Sequence, residues 1–525
     1  MRDFHLPGRS AVFANDGLCA TSHPLAAQTA ISVLKEGGNA MDAAIAGAVL
    51  LGLCEPQMTG IGGDCFVLFS PAGSNDVRSL NGSGCAPKNL SASMLRDKGH
   101  GRVVKQSVDA ITVPGAIDAF CQLNSDWGNK SLAEVLAPAI HYARAGVPVA
   151  PRVRLDWNRA VSNLHPSAQP YFTIDGRVPN IGELFYAPKQ AEVLERIAKE
   201  GRDGFYTGEV AHDIVTSLNA LGGVHSLEDF AAQRAFYTDP ISISYGDIEL
   251  FEHPPNGQGA TAILLLNILS QFDLGQMDPF GAERAHIEAE ATKVAYGLRN
   301  EIIADPARCT NLDEMLSPET AKALASRINL KVAQKQNVLL DEMHHKDTIY
   351  ITVVDKDRMA VSLIYSIFDS FGSGIASEKY GILLQNRGAG FSLKSGHANE
   401  LIGGNRPMHT IIPAILQKDG QTMMPFGVMG GQYQSTGHAR FVTNFVDFGL
   451  SPQEAIDAPR SFAEDNILKV ERGYAPEVVQ SLSDMGHDIV QDMEPIGGAQ
   501  AIQIHENGVL EGASDPRKDG CALGY

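Results

Sequence analysis

The most informative part of the chain is a charged loop that stops at a threonine, Asp341-Glu342-Met343-His344-His345-Lys346-Asp347-Thr348-Ile349-Tyr350. The seven residues before Thr348 are mostly charged, and we expect them to be solvated. After Thr348 the pattern changes at once, because apolar residues alternate at Ile349, Ile351 and Val353 and predict a strand. On its own, the junction is only a loop that leads into a strand.

The chain on both sides of this junction contains predicted helices and predicted strands. Upstream, Pro24 and Gly37-Gly38 bound one helix, and an apolar helix runs from about Asn39 to Cys54. Downstream, strands dominate, and the first hairpin turns at Asp355-Lys356-Asp357. No repeat or low-complexity linker divides the chain, so we predict helices packed outside two strand-rich layers.

The composition excludes several classes of protein. The 525 residues carry 42 basic and 61 acidic side chains, a formal net charge of −19, and 44% are hydrophobic. An acidic chain without a Lys/Arg run is a poor partner for nucleic acid or an anionic membrane surface. The longest apolar stretch, Ala43 to Cys54, spans about 12 residues, whereas a membrane helix needs about 20. Seven scattered cysteines and the lack of an apolar leader predict a cytoplasmic protein with reduced thiols.

Several familiar site motifs are absent or misplaced. Gly60-Ile61-Gly62-Gly63 comes before a strand, not between a strand and a helix, so close backbone packing explains it better than a dinucleotide. His344 and His345 are adjacent and cannot both face one ion, so we expect no metal and no cofactor. The chain has no GxSxG elbow and no GKS/GKT loop, which argues against serine hydrolases and P-loop enzymes.

Five motifs follow the threonine in a fixed order: Tyr365-Ser366, Phe371 to Gly374, Gly381 to Arg387, Asn405 to Pro413, and Gly430-Gly431. With Gly38 to Ala44 and Ala513 to Arg517, they resemble the gamma-glutamyltranspeptidase family of N-terminal-nucleophile hydrolases over nearly the whole chain. The closest resemblance is to its cytoplasmic branch of oxamate amidohydrolase and glutathione-hydrolase-like proteins, because of Asn81 to Gly84, His253 to Asn256 and Gly381 to Arg387. The resemblance implies an α/β (α+β) fold, the four-layer αββα sandwich of these hydrolases.

The resemblance also implies a precursor that cuts itself between Asp347 and Thr348. A large chain, residues 1–347, and a small chain, residues 348–525, would then stay together in one domain. Chemistry supplies an independent reason for a threonine at a new N-terminus. Its hydroxyl is a poor nucleophile at pH 7, but a free α-amino group with a pKa of about 7.7–8.0 can serve as its base. One backbone cut therefore creates the nucleophile and the base together.

The remaining site residues are implied by their places in the family's motifs. Gly430-Gly431 matches the pair whose backbone N–H groups form the oxyanion hole, although a plain turn is the alternative. Ser366 matches a hydroxyl residue that hydrogen-bonds the nucleophile and assists self-cleavage. His409 and Thr410 stand where the family has two serines that hold the substrate carboxylate, and His409 has a structural role as its alternative.

The chain departs from the glutamyl-transferring members at the substrate pocket. Ser83 replaces the arginine that grips the α-carboxylate, Gly390 replaces the aspartate that pairs with the α-ammonium, and Phe368 replaces an asparagine. Arg387 adds a cation, and we expect it to bind a substrate carboxylate. The alternative is that Arg387 pairs with a surface acid such as Asp369 or Glu378.

These features predict a self-processing threonine amidohydrolase that cleaves a small carboxylate amide through an acyl-Thr348 ester. Oxamate fits best, because it carries a carboxylate and no α-ammonium. Glutathione hydrolysis or gamma-glutamyl transfer is the first alternative, and an acylase for bulky acyl groups or a catalytically silent binding protein is the second. The expected partners are the small amide substrate and the two chains of one precursor, alone or as a homodimer of such pairs.

Overall fold

The computed structural model describes residues 8–335, 348–491 and 494–525. The charged loop before Thr348 lies outside the described residues, and so do Asp347 and the pair His344-His345. Of the predicted cleavage site, the structure therefore describes Thr348 alone. Two large antiparallel sheets form the centre of the described part.

Each large sheet has seven strands within the described residues. The first sheet has the order β1 (Val12–Ala14), β18 (Leu510–Ser514), β17 (Gly498–Ile504), β13 (Gln421–Met429), β12 (Ala414–Lys418), β9 (Ile248–Glu252) and β8 (Ile241–Tyr245). The second sheet has the order β19 (Cys521–Gly524), β2 (Leu18–Thr21), β10 (Ile349–Val354), β11 (Ala360–Ser366), β3 (Asp64–Ser70), β4 (Arg78–Gly82) and β7 (Phe236–Thr238). Smaller sheets join β14 (Ser461–Glu464), β15 (Ile467–Val470) and β16 (Asp488–Val490), and β5 (Val147–Pro148) with β6 (Leu184–Phe185).

Helices cover the outer face of each large sheet. One group precedes β7 in the chain and comprises α1 (Pro24–Lys35), α2 (Ala40–Cys54), α3 (Ala92–Asp97), α4 (Ala116–Trp127), α5 (Leu132–Ala145), α6 (Pro151–Ala160), α7 (Gln169–Phe172), α8 (Pro188–Glu200), α9 (Asp203–Tyr206), α10 (Gly208–Ala220) and α11 (Leu227–Ala232). The other follows β9 and comprises α12 (Gly259–Leu269), α13 (Ala282–Ile302), α14 (Leu312–Met315), α15 (Pro318–Ala325), α16 (Gln434–Val446), α17 (Pro452–Asp457) and α18 (Pro476–Asp484). Helices α1, α2 and α4 pack on the second sheet, and α12 and α16 pack on the first.

The alternation along β10 shows how the four layers form. Ile349, Ile351 and Val353 pack among the side chains of α1 and α2. Tyr350 and Val354 point to the opposite face, where they meet apolar side chains of the first sheet. Successive strand residues face opposite sides, so one strand joins a helix-facing core to a core between the sheets. The predicted αββα sandwich is confirmed.

The predicted helix limits are also confirmed. Helix α1 begins at Pro24, and Gly37 ends it in the left-handed region with φ 93°. Helix α2 is buried at every position, and Asn39 caps it in a reciprocal capping box with Asp42. Within residues 8–335, 348–491 and 494–525, no helix has both the length and the apolar character needed to cross a membrane.

Candidate active site

Thr348 lies at the end of three adjacent strands of the second sheet. In the ladders, Ile349 of β10 is opposite Tyr365 of β11, and Ser366 of β11 is opposite Asp64 of β3. Thr348 immediately precedes β10, so it occupies the same row as Ser366 and Asp64. All three residues are buried, and Thr348 Oγ1 donates a hydrogen bond to Ser366 Oγ at 3.4 Å. The predicted pairing of Thr348 with Ser366 is therefore present.

This row faces the space between the two sheets. Tyr350, Ile364 and Phe66 lie two positions further along the same strands and share the row's face. They pack with Ile411 and Met429 in a cluster between the sheets. The hydroxyls of Thr348 and Ser366 and the Asp64 carboxylate thus point into the inside of the sandwich.

Gly430 and Gly431 follow directly after β13, on the sheet opposite to Thr348. Tyr350 lies against this strand: a Cβ added at Gly427 would come within 2.3 Å of its ring. Gly430 has φ 127° and Gly431 has φ 57°, values that side-chain-bearing residues rarely adopt. A Cβ at Gly430 would also lie 2.9 Å from the Gly497 Cα. The backbone geometry of this turn therefore requires glycine at both positions.

Arg387 is fully buried within reach of this row. Its Nη1 donates to Thr410 Oγ1 at 3.0 Å, and its guanidinium lies 3.8 Å from the ring centre of Phe368. The Phe368 N–H in turn donates to Ser366 Oγ at 2.9 Å, which connects Arg387 to Thr348 through Ser366. Among the described residues, Nε and Nη2 of Arg387 have no hydrogen-bond partner.

The surface ion pair considered for Arg387 is not formed. Asp369 instead lies 3.8 Å from Lys105 and accepts a hydrogen bond from Asn386. Burial holds the pKa of Arg387 well below its usual value, and only the Asp64 charge opposes this effect. A buried guanidinium with two nitrogens that lack an acceptor among the described residues can bind an oxygen anion.

Asp64 is a site residue that sequence analysis did not single out. Its Oδ1 accepts from the backbone N–H groups of Gly84 at 3.1 Å and Gly115 at 2.9 Å, and its Oδ2 lies 3.2 Å from His409 Nε2. Burial raises the pKa of Asp64 to about 6, although a hydrogen bond from Gln385 and the Arg387 charge act against this. An acid at the first position of an apolar strand was the available signal in the sequence.

The resemblance implies that His409 holds a substrate carboxylate. In the structure, its ring contacts the carboxylate of Asp64. Burial, the Arg387 charge and His253 hold the pKa of His409 well below its usual value, so the ring is neutral. A neutral ring next to a carboxylate donates through the nearer nitrogen, here Nε2. Nδ1 then carries the lone pair, and it has no partner among the described residues. Thr410, which contacts Arg387, fits the predicted substrate role more directly.

The glycine-rich passage before β3 packs as predicted. A Cβ at Gly62 would lie 2.1 Å from the Leu383 carbonyl oxygen, and one at Gly63 would lie 2.4 Å from that of Ser366. Glycine at both positions brings β3, and with it Asp64, close to the end of β11. The passage therefore shapes the site through close backbone packing.

Two departures from the family's motifs also have structural causes. Ser83 is buried, and its hydroxyl donates to Asn81 Oδ1 at 2.6 Å, so it forms part of the wall of the site. A Cβ at Gly390 would lie 3.0 Å from the Met408 carbonyl oxygen. An aspartate side chain at position 390 has little room in this backbone.

Within the described residues, metal-ligating atoms converge at His286, Glu290 and His487, where they lie within 4.8 Å of one another. Hydrogen bonds account for this cluster. His286 Nδ1 is 2.8 Å from His487 Nε2, and His286 Nε2 is 2.7 Å from the Asn329 carbonyl oxygen. Lys293 pairs with Glu290 at 2.6 Å, and its positive charge opposes a second cation there.

Comparison with known proteins places the chain among hydrolase precursors. It is 36% identical to the Glutathione hydrolase-like YwrD proenzyme of Bacillus subtilis, covering 98% of this chain and 99% of that protein. It is 32% identical to the Oxamate amidohydrolase proenzyme of Klebsiella pneumoniae, covering 98% of this chain and all of that protein. The cephalosporin acylase from Bacillus halodurans superposes with a TM-score of 0.92 at 36% identity, over 100% of this chain and 99% of that one.

The family itself follows from the extent of these matches. The Gamma-glutamyltranspeptidase family matches residues 26–525, which includes every strand of both sheets except β1 and β2. Relatives at 32–36% identity extend over 98% of the chain. The chain belongs to the gamma-glutamyltranspeptidase family of N-terminal-nucleophile hydrolases.

Proposed function

We propose that this protein is a self-processing amidohydrolase that uses Thr348 to cleave the amide bond of a small carboxylate substrate, with oxamate as the leading candidate. The observation that carries this proposal is the buried Arg387 guanidinium, two of whose N–H-bearing nitrogens have no partner among the described residues. Contacts through Phe368 and Ser366 connect it to Thr348. A substrate carboxylate bound there would present its amide carbon to the threonine hydroxyl.

The proposed reaction begins with cleavage between Asp347 and Thr348, which frees the α-amino group of Thr348. That amine accepts the hydroxyl proton while Oγ1 attacks the amide carbon. The backbone N–H groups of Gly430 and Gly431 stabilise the resulting oxyanion. The C–N bond then breaks, the proton leaves with ammonia, and an acyl ester remains on Thr348. Water hydrolyses this ester, so oxamate and water give oxalate and ammonium.

The pocket favours acids without an α-ammonium. An ammonium transferred to a buried site without a partner costs several kcal/mol. Asp64 is an acid that enters the site from elsewhere in the fold, but its carboxylate already accepts from Gly84, Gly115 and His409. Position 390 offers no second acid, because it is glycine and is packed against a carbonyl oxygen.

Glutathione hydrolysis is the second candidate, because the Glutathione hydrolase proenzyme of Escherichia coli is 32% identical over 98% of this chain. In that case Asp64 would have to receive the substrate ammonium in addition to its present donors. We further propose that the enzyme works in the cytoplasm as the two chains of one precursor. The seven cysteines, none of which forms a disulfide, fit a reducing compartment.

The deciding experiment compares two products of the purified, processed protein: ammonia from oxamate and glutamate from glutathione. We expect a higher kcat/KM for oxamate, with Thr348→Ala as the inactive control. Faster glutamate release would contradict the pocket argument and favour the second candidate. A panel of other small carboxylate amides and bulky acyl amides in the same assay separates a different amidohydrolase from an acylase. Activity on none of them would favour a silent binding protein.

A further inference from the structure

We infer that Gln258 is a positioning residue that holds the Gly430-Gly431 turn and the Thr410 segment in a fixed arrangement. The inference rests on the proposed function, because that function gives the two segments their roles. Gln258 ends the loop 253–258 and immediately precedes α12. Its side chain is fully buried.

A single amide group reaches both segments. Gln258 Nε2 donates to the Thr410 carbonyl oxygen at 2.7 Å and to the Gly431 carbonyl oxygen at 3.3 Å. An amide nitrogen carries two N–H groups, so one side chain can serve both acceptors. Thr410 also accepts from Arg387 through Oγ1, so the same residue joins the carboxylate site to Gln258.

Arg299 of α13 sets the orientation of this amide. Its Nη1 donates to Gln258 Oε1 at 2.8 Å and also to Oε1 of Gln432, the residue after Gly431. An arginine donates hydrogen bonds and accepts none, so the Gln258 oxygen must face Arg299 and the nitrogen must face the two carbonyls. The backbone carbonyl of Gln258 accepts from Ser435 Oγ at 3.2 Å, which adds a contact to α16.

These contacts matter because two glycines in succession restrict the backbone of the turn very little. Gly431 has φ 57°, and a glycine restricts its own peptide orientation less than any other residue. A displacement of about 1 Å caused by a residue away from the reacting atoms can lower the rate about 10²-fold. Loss of the Gln258 donors should therefore lower kcat through the turn and raise KM through Thr410.

Gln258→Glu tests positioning separately from packing. Glutamate keeps an oxygen toward Arg299 and gains an ion pair with it, but it has no N–H for either carbonyl. We expect kcat/KM for oxamate to fall about 10²-fold, with changes in both kcat and KM, while Tm stays within a few degrees of wild type. Gln258→Leu loses all three side-chain hydrogen bonds, so we expect the same fall in kcat/KM together with a lower Tm. If the glutamate variant does not accumulate, kcat and KM are measured on the leucine variant.

Gln453→Glu is the matched control. Gln453 is a buried glutamine whose Nε2 donates to the Ser514 carbonyl oxygen at 3.0 Å and to Asp457 Oδ1 at 2.9 Å, and whose Oε1 accepts from the Ser514 N–H. Like Gln258→Glu, Gln453→Glu therefore loses both of its side-chain N–H donors. Per mole of processed enzyme, we expect this variant to keep wild-type kcat and KM. Wild-type constants for Gln258→Glu, or an equal loss in Gln453→Glu, would overturn the positioning role. Failure of the proposed function would look different, because wild-type protein itself would release no ammonia.

Discussion

Phe368 has a backbone conformation that a bulky side chain rarely adopts. Its backbone has φ 82°, a left-handed conformation that is costly for a bulky residue and well tolerated by asparagine. The side chain is buried, and its ring lies against the guanidinium of Arg387. A cation held on an aromatic face at this depth stabilises an arrangement that the backbone alone disfavours.

Cleavage of the chain before residue 348 should depend on the Thr348 hydroxyl. Thr348→Ala should give a single band near 56 kDa on a denaturing gel, whereas the wild type should give two, because the alanine lacks the hydroxyl that attacks the preceding peptide bond. Thr348→Ser keeps a hydroxyl and should still be cut, more slowly. N-terminal sequencing of the small chain should begin at residue 348. Cleavage of the alanine variant at the same bond would indicate an external protease.

Loss of the Arg387 side chain should affect activity more strongly than stability. Removing a charge-assisted pair with the substrate costs about 1.5–3 kcal/mol, so Arg387→Ala should lower kcat/KM for oxamate by about ten- to a hundredfold. Arg387→Lys should also lose affinity, because it lacks the planar fork. The same alanine should lower Tm less than the loss of an ion-paired buried arginine, since the Arg387 guanidinium is held by Thr410 and the Phe368 ring and not by a hydrogen-bonded acid.

Arg440→Ala is the control for this prediction. Arg440 is also buried, but it pairs with Glu288 and donates to the Pro459 carbonyl oxygen. Its loss removes one of the two arginines that pair with the buried Glu288 carboxylate, the other being Arg284, and should lower Tm clearly. Unchanged activity in Arg387→Ala, with a Tm loss like that of Arg440→Ala, would mean that Arg387 is only structural.

Asp64 gives a prediction about pH. Its folded-state pKa of about 6 lies above the ordinary value of 3.8, so the folded chain holds this proton more tightly than the unfolded chain. The stability that protonation supplies is complete below about pH 4 and is lost as pH rises to about 6, by at most about 3 kcal/mol. Asp64→Asn does not titrate. The Tm difference, variant minus wild type, should therefore increase from pH 4 to pH 6.5 in thermal unfolding, and a constant difference would contradict this.

At the scale of elements, the site is assembled from strand ends on two sheets. Strands β3, β10 and β11 supply Asp64, Thr348 and Ser366 from one sheet, and β13 leads into the glycine turn on the other. Strand ends are rigidly held by their ladders, whereas the turn depends on what contacts it. The turn is therefore the element where a backbone change should have the largest effect on rate.

Gly431→Val should lower turnover by about 10²–10³-fold, the usual effect of losing one oxyanion-hole donor. Valine cannot adopt φ 57° without strain, so the peptide must rotate. The control is Gly420→Val, at a left-handed glycine with φ 73° in the β12–β13 turn, where an added Cβ meets open space. Both variants should lose Tm, but only the first should lose kcat. A processed Gly431→Val enzyme with wild-type turnover would show that the pair is a plain turn.

At the scale of the whole molecule, the two predicted chains are interleaved in both sheets. In the second sheet, β10 and β11 of the small chain lie between β2 and β3 of the large chain. In the first sheet, strands β12, β13, β17 and β18 of the small chain lie between β1 and β9 of the large chain. Separation of the chains would break both ladders and expose the core between the sheets.

After processing, both chains should therefore elute together in native size-exclusion chromatography and separate only under denaturing conditions. Native mass spectrometry should give the mass of one large and one small chain, or of two such pairs if a homodimer forms. Thr348→Ala, which stays uncut, is the reference for the elution volume. Free small chain at native pH would contradict the interleaved arrangement.

Local sequence patterns were enough to predict the helices around Pro24 and Asn39 and the hairpin after Thr348, because these depend on neighbouring residues. The four-layer class was implied by the resemblance of the ordered motifs to a known family. The ladder that brings Asp64 beside Ser366, and the buried contacts of Arg387 and Gln258, come from segments far apart in the chain. No local propensity encodes such contacts. They arise when two sheets pack face to face and the polar groups buried between them must find hydrogen-bond partners, which only the folded chain can supply.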